Sequence, residues 1–192
     1  MAAENKQLMS RIRDLVNTTE ELMRDRDDLN YTLRAILKYD SFPVSAFCSG
    51  PMVSDCNPCQ SGWLLFQDKC YLFYNQDAPW KTWQQSRMIC REKFADLVII
   101  DSPGEQRFIS DHTEYYYDKY LGYWIGLKES NNTWVWVDGR NVSLEYWAAG
   151  EEAGDQCAQL IHDKPLTENW NKNNCIMQNR FVCETETLIR LR

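Results

Sequence analysis

The 192-residue sequence contains no long apolar run, and its longest uninterrupted runs have only four or five residues, as at positions 97–100. A membrane-spanning helix needs about 20 such residues, so neither a transmembrane helix nor a signal peptide is expected within this chain. Basic charge is also scarce, with 21 Lys and Arg against 28 Asp and Glu, which disfavours a nucleic-acid-binding protein. With only two His residues and no Gly-rich phosphate loop, the sequence does not indicate an enzyme.

Three features that are present indicate a folded extracellular protein. Apolar residues make up 44% of the chain and aromatic residues 13%, so a packed core is expected. Eight Cys residues and four Asn-x-Ser/Thr sequons, at Asn17, Asn30, Asn131 and Asn141, agree on an oxidising, glycosylating compartment. We therefore expect the ectodomain of a plasma-membrane protein whose anchor lies outside this chain.

The first forty residues have the pattern of a coiled coil. They contain no Cys, Gly, Pro or Trp, and an apolar side chain recurs every seven residues at heptad position d. The residues at d are Leu8, Leu15, Leu22, Leu29 and Ile36. Only two of the five a positions are apolar, and the wide stripe also fits a single amphipathic helix that packs on a globular domain. We favour a parallel dimeric stalk over residues 1–40.

A change in composition marks the domain boundaries that follow the stalk. Residues 41–58 hold three of the six Pro residues, together with Ser, Gly and Asn, and have no helical period, which indicates a linker. The aromatic-rich region 59–184 is expected to form the globular domain, and residues 185–192 are expected to form a C-terminal tail.

Local patterns predict both helices and strands in the globular domain. Residues 62–74 are typical of a β-hairpin, whereas residues 79–94 follow the helical period. Ser102 marks the start of a second helix that reaches about residue 115, with Pro103 at its first position and Glu105 closing a capping box. Strands are predicted at 124–127, 134–137 and 182–183. The region 148–174 lacks periodicity and is expected to be a long irregular loop region.

The order and spacing of the Cys and Trp residues resemble a known domain family. The matching positions are Cys59-x3-Trp63-x2-Phe66-x3-Cys70-Tyr71, Trp83, Cys90, Trp124-Ile125-Gly126-Leu127, Trp147, Cys157, Trp170-Asn171, Cys175 and Cys183. They are similar to the C-type lectin-like domain, and with the stalk the chain resembles the type II receptors of natural killer and myeloid cells. The resemblance implies an α+β fold in which two helices flank two small antiparallel sheets, and a long irregular loop region carries the ligand surface.

The resemblance also implies three disulfide bonds, which the sequence alone does not select. The implied pairs are Cys59–Cys70, Cys90–Cys183 and Cys157–Cys175. Cys48 and Cys56 remain in the linker, where they either pair with each other or bridge two chains. Beside a stalk that favours a dimer we expect the interchain bridge. A zinc site is disfavoured because only one C-x2-C arm is present.

Sugar-binding members of this family carry Glu-Pro-Asn shortly after the Trp that Trp147 matches, and Trp-Asn-Asp before the Cys that Cys175 matches. Those side chains supply oxygens to calcium. Here no Pro or Asn follows Glu151, and Lys172 stands where the resemblance implies a carboxylate. An ammonium about 4 Å from calcium costs on the order of 8 kcal/mol at an effective dielectric constant of about 20. We therefore expect no cofactor, and calcium is the disfavoured alternative. Glu151, Glu152, Asp155 and Asp163 are interpreted as solvated loop acids rather than as a relocated calcium site.

The expected ligand surface combines two polar loop segments. Its candidate ligand-binding residues are Glu151, Glu152, Asp155, Glu168, Asn171, Lys172, Asn173 and Asn174. The favoured hypothesis is a receptor ectodomain that binds a cell-surface protein ligand without calcium and forms a homodimer through its stalk. The alternative is a lectin with a degenerate or relocated site that binds sulfated or other glycans. In that case the glycan contacts are Lys164, Lys172 and Arg180.

A tyrosine-rich segment at 115–120 is a further candidate interface, because Tyr supplies a large contact area with little rotamer entropy. Core packing is the competing interpretation, and we expect at least half of these rings to face inward. Four tryptophans are expected to belong to the core rather than to a site: Trp124, Trp134, Trp136 and Trp147.

Overall fold

The structure, a computed structural model, describes residues 2–37, 42–50, 56–149 and 156–189. Its helices are α1 (Ala2–Leu37), α2 (Val44–Phe47), α3 (Trp83–Glu92) and α4 (Pro103–His112). Its strands are β1 (Leu64–Phe66), β2 (Lys69–Tyr74), β3 (Asp96–Leu97), β4 (Tyr123–Ser130), β5 (Thr133–Trp136), β6 (Gln156–Leu160), β7 (Trp170–Asn174) and β8 (Arg180–Glu186). The fold is therefore α+β, as expected.

The chain divides into two compact units. Unit 1 comprises Met1–Pro58 together with Thr187–Arg192, and unit 2 comprises Cys59–Glu186. In unit 1 the Tyr31 hydroxyl of α1 lies 3.1 Å from the Thr187 hydroxyl. Leu188 N–H also donates to the Pro58 carbonyl at 2.8 Å. These two contacts connect the residues after Glu186 with the N-terminal part of the chain.

Helix α1 is 36 residues long and leaves its apolar stripe exposed. Leu15 is 66% exposed, and Leu22 and Leu29 are each 63% exposed. The helix also carries charged residues throughout its length. None of the described helices is both long and apolar enough to cross a membrane. The single chain therefore presents to water the four leucines that the heptad pattern places at d, whereas Ile36 is half-buried.

The cysteines between α1 and unit 2 form a disulfide within one chain. Cys48 and Cys56 meet in an isolated antiparallel bridge, their Cα atoms lie 3.8 Å apart, and their sulfurs are bonded at 2.03 Å. Next to this bridge, Asn57 N–H donates to the Phe47 carbonyl at 2.7 Å, and the Phe47 ring is buried. This corrects the expectation of an interchain bridge, because local backbone pairing places the two thiols together.

Unit 2 begins with the expected hairpin. β1 and β2 pair in antiparallel register, with Leu65 opposite Cys70. A disulfide connects Cys59 to Cys70 and so ties the start of the unit to β2. Gln67 occupies the turn in the left-handed region, with φ of 52°.

Helix α3 lies within the range that the helical period predicts. Thr82 caps its N-terminus, and a reciprocal capping box forms with Gln85. Trp83 and Cys90 are buried on one face. Cys90 is bonded to Cys183 of β8, which fixes the helix on the sheet across a sequence separation of 93 residues. This disulfide is one of the three that the family resemblance implies.

Helix α4 begins as predicted, but Glu105 has a different role. The Ser102 hydroxyl accepts from Glu105 N–H at 3.1 Å, whereas the Glu105 carboxylate accepts from Asp101 N–H at 3.0 Å. The carboxylate is buried and also accepts the Tyr71 hydroxyl hydrogen at 2.5 Å. The prediction of a reciprocal capping box is therefore wrong, because the Glu105 side chain turns toward other donors, among them the buried Tyr71 hydroxyl. The helix ends at His112 rather than near residue 115.

One continuous sheet runs in the order β1-β2-β8-β4-β6-β7, with β3 on β8 and β5 on β4. All its pairings are antiparallel except the contact of β4 with β8, where Tyr123 faces Arg180 and Trp124 faces Phe181. This short parallel contact joins two antiparallel groups. The expected two small sheets are therefore connected through the middle of the unit.

Two strands lie in the region that was expected to be an irregular loop. β6 and β7 pair in antiparallel register, with Leu160 opposite Trp170, and the Cys157–Cys175 disulfide links them at the other end. All five residues of β6 are buried. A strand that is buried on both faces shows no alternation of apolar and polar residues, so periodicity does not reveal it.

Candidate ligand-binding face

The described residues of the predicted ligand surface, 168–174, form what we call the long-loop face. A cluster of four tryptophans lies at this face, and we call the cluster the tryptophan platform. Its members are Trp134, Trp136, Trp147 and Trp170. Trp170 is fully buried and meets Trp136 and Trp147 edge to face, with ring centroids 5.6 Å apart in both pairs. Trp134 and Trp147 are only half-buried, and their ring centroids lie 4.6 Å apart. Of the four tryptophans expected in the core, Trp124 and Trp136 are buried, whereas Trp134 and Trp147 reach the surface.

Backbone and side-chain hydrogen bonds hold the platform from below. Ala148 N–H donates to the Trp170 carbonyl, and Trp170 N–H donates to the Tyr146 carbonyl, each at 2.7 Å. The Trp170 indole N–H donates to Gln106 Oε1 at 2.9 Å, and Gln106 Nε2 donates to Asn169 Oδ1 at 2.6 Å. Sequence reasoning missed Gln106 and Asn169. The only sequence feature that could have indicated them was a polar residue, Gln106, on the buried face of α4.

Lys172 lies above this platform. Its Nζ is 5.6 Å from the ring centroid of Trp147 and 6.0 Å from that of Trp134. Both distances are within the range of cation–π attraction. Trp170 and Lys172 lie on the same face of β7, because side chains two residues apart in a strand point the same way. The Lys172 ammonium is therefore a cation that the chain itself places over the Trp134 and Trp147 rings.

This arrangement does not suit the calcium ion that the family resemblance implies. Calcium takes six to eight oxygen ligands. At this place the described residues supply an ammonium over two indole rings. Across the described part of the chain, no group of three His, Cys, Asp or Glu side chains is arranged to hold a metal ion. The loop acids Glu151, Glu152 and Asp155 lie outside the described residues.

The other predicted ligand residues are divided between two faces. Asn171 and Asn173 alternate with Lys172 along β7, so they lie on the opposite face of the strand. Asn174 Oδ1 accepts from Ile176 N–H at 3.1 Å, and Asn173 Oδ1 accepts from Asn174 N–H at 2.9 Å. Glu168 is exposed in the turn before β7. The structure therefore brings Lys172, but not Asn171 and Asn173, onto the face of the tryptophan platform.

Arg180 does not belong to this face. The residue is only 8% exposed, its guanidinium lies 4.4 Å above the Tyr116 ring centroid, and its Nη1 is 3.4 Å from a Glu114 oxygen. The expected glycan contact through Arg180 is therefore wrong, because the side chain is buried in contacts within unit 2. Lys164 is exposed.

A cluster of charged residues connects β2, β8 and the start of α4. The Lys69 ammonium is 3.0 Å from Glu105 Oε1, 3.4 Å from Glu184 Oε2 and 3.6 Å from Asp101 Oδ2. Burial raises the pKa of Glu184 to about 8, Lys69 opposes this and Glu105 adds to it. Burial alone would lower the pKa of Lys69, but the three carboxyl groups raise it. Burial and then Glu105 also raise the pKa of Tyr71.

More rings of the tyrosine-rich segment are exposed than the sequence analysis predicts. Tyr116 is buried, whereas Tyr115, Tyr117 and Tyr120 are 55%, 79% and 62% exposed. The expectation that at least half of these rings pack inward is therefore wrong. The backbone turns at this point, since Asp118 N–H donates to the Tyr116 carbonyl, and only one ring points into the core.

The four sequon asparagines are exposed. Asn17 and Asn30 lie on α1, while Asn131 occupies the turn between β4 and β5 with φ of 51°. Asn141 follows β5 and forms an isolated bridge with Val135. A glycan at any of the four positions would extend from the surface.

Comparisons with known proteins show which family this chain resembles in sequence. A family model for the lectin C-type domain matches residues 80–185. C-type lectin domain family 4 member G of Mus musculus is 28% identical over 190 residues, which cover 93% of this chain and 56% of that protein. Asialoglycoprotein receptor 2 of Mus musculus is 31% identical over 137 residues, which cover 66% of this chain and 42% of that protein. The chain thus spans about half the length of these relatives.

A solved structure extends the similarity to three dimensions. The C-type lectin domain of murine dendritic cell inhibitory receptor 2, crystallised with an N-glycan, aligns with a TM-score of 0.56 and 29% identity. The alignment covers 67% of this chain and 98% of that chain. Because the family match takes in more than half of the sequence and the fold agrees, this chain belongs to the C-type lectin domain family.

Proposed function

We propose that this chain is the extracellular recognition region of a type II cell-surface receptor, and that its long-loop face binds a protein ligand without calcium. The observation that carries the proposal is the position of Lys172. Its ammonium lies over Trp134 and Trp147, and Lys172 occupies the sequence position at which the family's sugar-binding motif has a carboxylate. A positive charge there opposes a divalent cation and removes one of its oxygen ligands.

One further polar side chain on β7 supports the same interpretation. The Asn174 amide oxygen accepts a hydrogen bond from Ile176 N–H at 3.1 Å. A metal ion would have to compete with that bond for the same oxygen. Recognition at this face then depends on aromatic and polar side chains, which is the usual composition of protein interfaces.

Carbohydrate binding at a degenerate or relocated site is the second candidate. Two observations favour it. Trp134 and Trp147 are half-buried, so their ring faces are partly available for stacking. The murine dendritic cell inhibitory receptor 2 domain was crystallised with an N-glycan. On this hypothesis Lys172 and Lys164 are contacts for an acidic glycan.

A glycan array probed with the disulfide-intact chain, with and without a calcium chelator, separates the two hypotheses. We expect no chelator-sensitive signal. In parallel, a multimer of the chain should stain ligand-bearing cells in the presence of chelator, and protease treatment of the cells should abolish staining while glycosidase treatment should not. A chelator-sensitive glycan signal would refute the proposal, as would staining that only glycosidase removes.

We further propose that the receptor is a parallel homodimer through α1. Leu8, Leu15, Leu22 and Leu29 occupy successive d positions and are each more than half exposed in the single chain. Burying such a side chain yields about 1.5–3 kcal/mol relative to exposure, so a second copy in the same register would be stabilised. Polar residues at a, such as Arg26, fit a two-stranded coil with a fixed register.

A further inference from the structure

The segment between α4 and β4, residues 113–122, presents three tyrosine rings to solvent. Tyr117 is 79% exposed, Tyr120 62% and Tyr115 55%. We call this segment the tyrosine loop. It is not part of the long-loop face described above, and none of its residues belongs to the tryptophan platform.

A buried ring anchors the tyrosine loop. The Tyr116 hydroxyl donates to the Gly122 carbonyl at 2.5 Å and accepts from Arg180 N–H at 2.9 Å. The Tyr116 ring meets Trp80 edge to face at 5.1 Å, and the Arg180 guanidinium lies over the ring at 4.4 Å. The base of the loop is therefore fixed to β8 and to the segment before α3.

Hydrogen bonds also fix the exposed part of the loop. Asp118 Oδ1 accepts from Tyr120 N–H at 2.8 Å and from Leu121 N–H at 3.1 Å. Gln159 Nε2 of β6 donates to the Tyr120 carbonyl at 3.0 Å. A loop held in this way loses little conformational entropy when it binds a partner, and preorganised aromatic side chains are effective contact residues.

Tyr117 adopts a backbone conformation that a bulky residue rarely takes. Its φ of 60° lies in the left-handed region, where Gly and Asn are favoured. Its ring meets Trp80 at a centroid distance of 5.5 Å and is otherwise directed to solvent. Strain of this kind persists where the surrounding structure enforces it, often at binding sites. A mostly exposed Tyr in this position is better explained by recognition than by folding.

The loop already binds cations on its ring faces. Arg180 lies over Tyr116 at 4.4 Å, and Lys119 lies over Tyr120 at 5.0 Å. Three acidic residues lie in or next to the loop, at Asp111, Glu114 and Asp118, against Lys119 and the buried Arg180, whose Nη1 lies 3.4 Å from Glu114 Oε2. Both the ring faces and this excess of negative charge suit a positively charged partner.

We propose that the tyrosine loop is a second recognition surface, and that it fits a protein surface presenting Arg or Lys side chains. The exposed rings receive the cations on their faces, and the acidic residues orient the approach. This surface does not depend on the proposed function of the long-loop face. Loss of binding at one surface would leave binding at the other intact.

The test uses a deca-arginine peptide as the probe and a deca-glutamate peptide as the control for the sign of the charge. The triple variant Tyr115→Ser, Tyr117→Ser and Tyr120→Ser should bind deca-arginine about tenfold more weakly than the parent chain, because each exposed cation–π contact adds a modest increment. The triple Tyr→Phe variant keeps the ring faces and should bind within twofold of the parent. Ile176→Ser, which removes a side chain that is 76% exposed elsewhere on unit 2, should also bind like the parent.

Equal affinity of the triple serine variant and the parent would refute the proposal, as would equal binding of the two peptides. A change in oligomeric state of the triple serine variant by sedimentation equilibrium would identify a second copy as the occupant and would also refute it. Tyr117→Asn gives a separate test of strain. It should weaken deca-arginine binding while leaving the melting temperature unchanged or higher. A lower melting temperature would assign Tyr117 a structural role and contradict the inference.

Discussion

The two units use periodic apolar side chains in opposite ways. In α1 the leucines recur every seven residues and stay exposed, whereas in unit 2 the periodic side chains of α3 and β8, such as Trp83 and Phe181, are buried. Unit 2 has sheet, helix and disulfide neighbours to cover its apolar faces. The difference teaches that a hydrophobic pattern specifies a local element, while burial of that element depends on a second surface.

The largest difference between the units should appear when their disulfides are removed. The Cys90–Cys183 bond closes a loop of 93 residues and the Cys48–Cys56 bond a loop of eight. On chain-entropy grounds the long loop contributes about 4–5 kcal/mol and the short one about 2–3 kcal/mol. We expect the double Cys→Ala variant at Cys90 and Cys183 to lower the unfolding free energy of unit 2 by about 4–5 kcal/mol, as measured by urea titration.

The matched variant for that experiment is the double Cys→Ala change at Cys48 and Cys56. Its effect should be confined to unit 1, because both residues belong to that unit. Near-ultraviolet circular dichroism of the unit 2 tryptophans shows whether each double variant perturbs unit 2. Equal losses of tryptophan signal in both variants would contradict the expectation that the Cys48–Cys56 disulfide acts on unit 1 alone.

Truncation of one buried and one exposed apolar side chain sharpens the comparison. Trp170→Ala should destabilise unit 2 by about 3–5 kcal/mol, because the ring is fully buried and its indole N–H is bonded to Gln106. Leu15→Ala, at a position that is 66% exposed, should leave the melting temperature of unit 2 unchanged. Differential scanning calorimetry measures both. A large effect of Leu15→Ala on unit 2 would show that α1 stabilises unit 2 directly.

A charge placed in the exposed apolar stripe of α1 should weaken association of two chains rather than the stability of unit 2. Leu15→Asp places a carboxylate at a d position, and we expect the dimer dissociation constant to rise at least about tenfold, by sedimentation equilibrium. Ser10→Asp adds the same charge at an exposed f position of α1 and should leave the constant unchanged. If the parent chain is monomeric at micromolar concentration, the proposed dimer is wrong.

The smallest effect is a pH dependence that belongs to unit 2 alone. Burial raises the pKa of Glu184 from 4.5 to about 8. Between these values the folded state holds a proton that the unfolded state has released. The unfolding free energy therefore falls as pH rises across this window, by on the order of 1 kcal/mol per pH unit. Glu184→Gln should flatten this slope in denaturant titrations from pH 5 to about 8.

Glu186 provides the control for the pH experiment. It lies on the same strand but is exposed, so Glu186→Gln should retain the slope of the parent chain. A parent chain whose stability rises between pH 5 and about 8 would contradict the assignment of the buried proton to Glu184.

Much of the fold could be predicted from local patterns. Apolar spacing gave α1 and α3, turn chemistry located the β1–β2 hairpin, and Ser102 with Pro103 marked the start of α4. Each of these features depends on residues close together in the chain. Sequence reasoning failed where distant residues decide the outcome. β6 is a fully buried strand between β4 and β7, and β7 is a strand because it pairs with β6 at the edge of the sheet.

Single side chains in the candidate site were harder to predict for the same reason. Glu105 fits a capping box by spacing, but Tyr71 and Lys69, distant in sequence, supply buried partners for its carboxylate. Arg180 looked like a surface cation and is instead covered by contacts with Tyr116 and Glu114. The charge of Lys172 was evident from the sequence, whereas its place above two indole rings was not.

Calcium titration of the disulfide-intact chain by calorimetry, with thermal melting alongside, tests the central claim most directly. The account predicts no binding heat and no calcium-dependent rise in melting temperature, for the parent chain and for Lys172→Ala alike. A site with micromolar to millimolar affinity that raises the melting temperature of the parent chain would contradict it, because a bound ligand stabilises the folded state. Lys172 would then not exclude the metal, and glycan recognition would replace protein recognition as the proposed function.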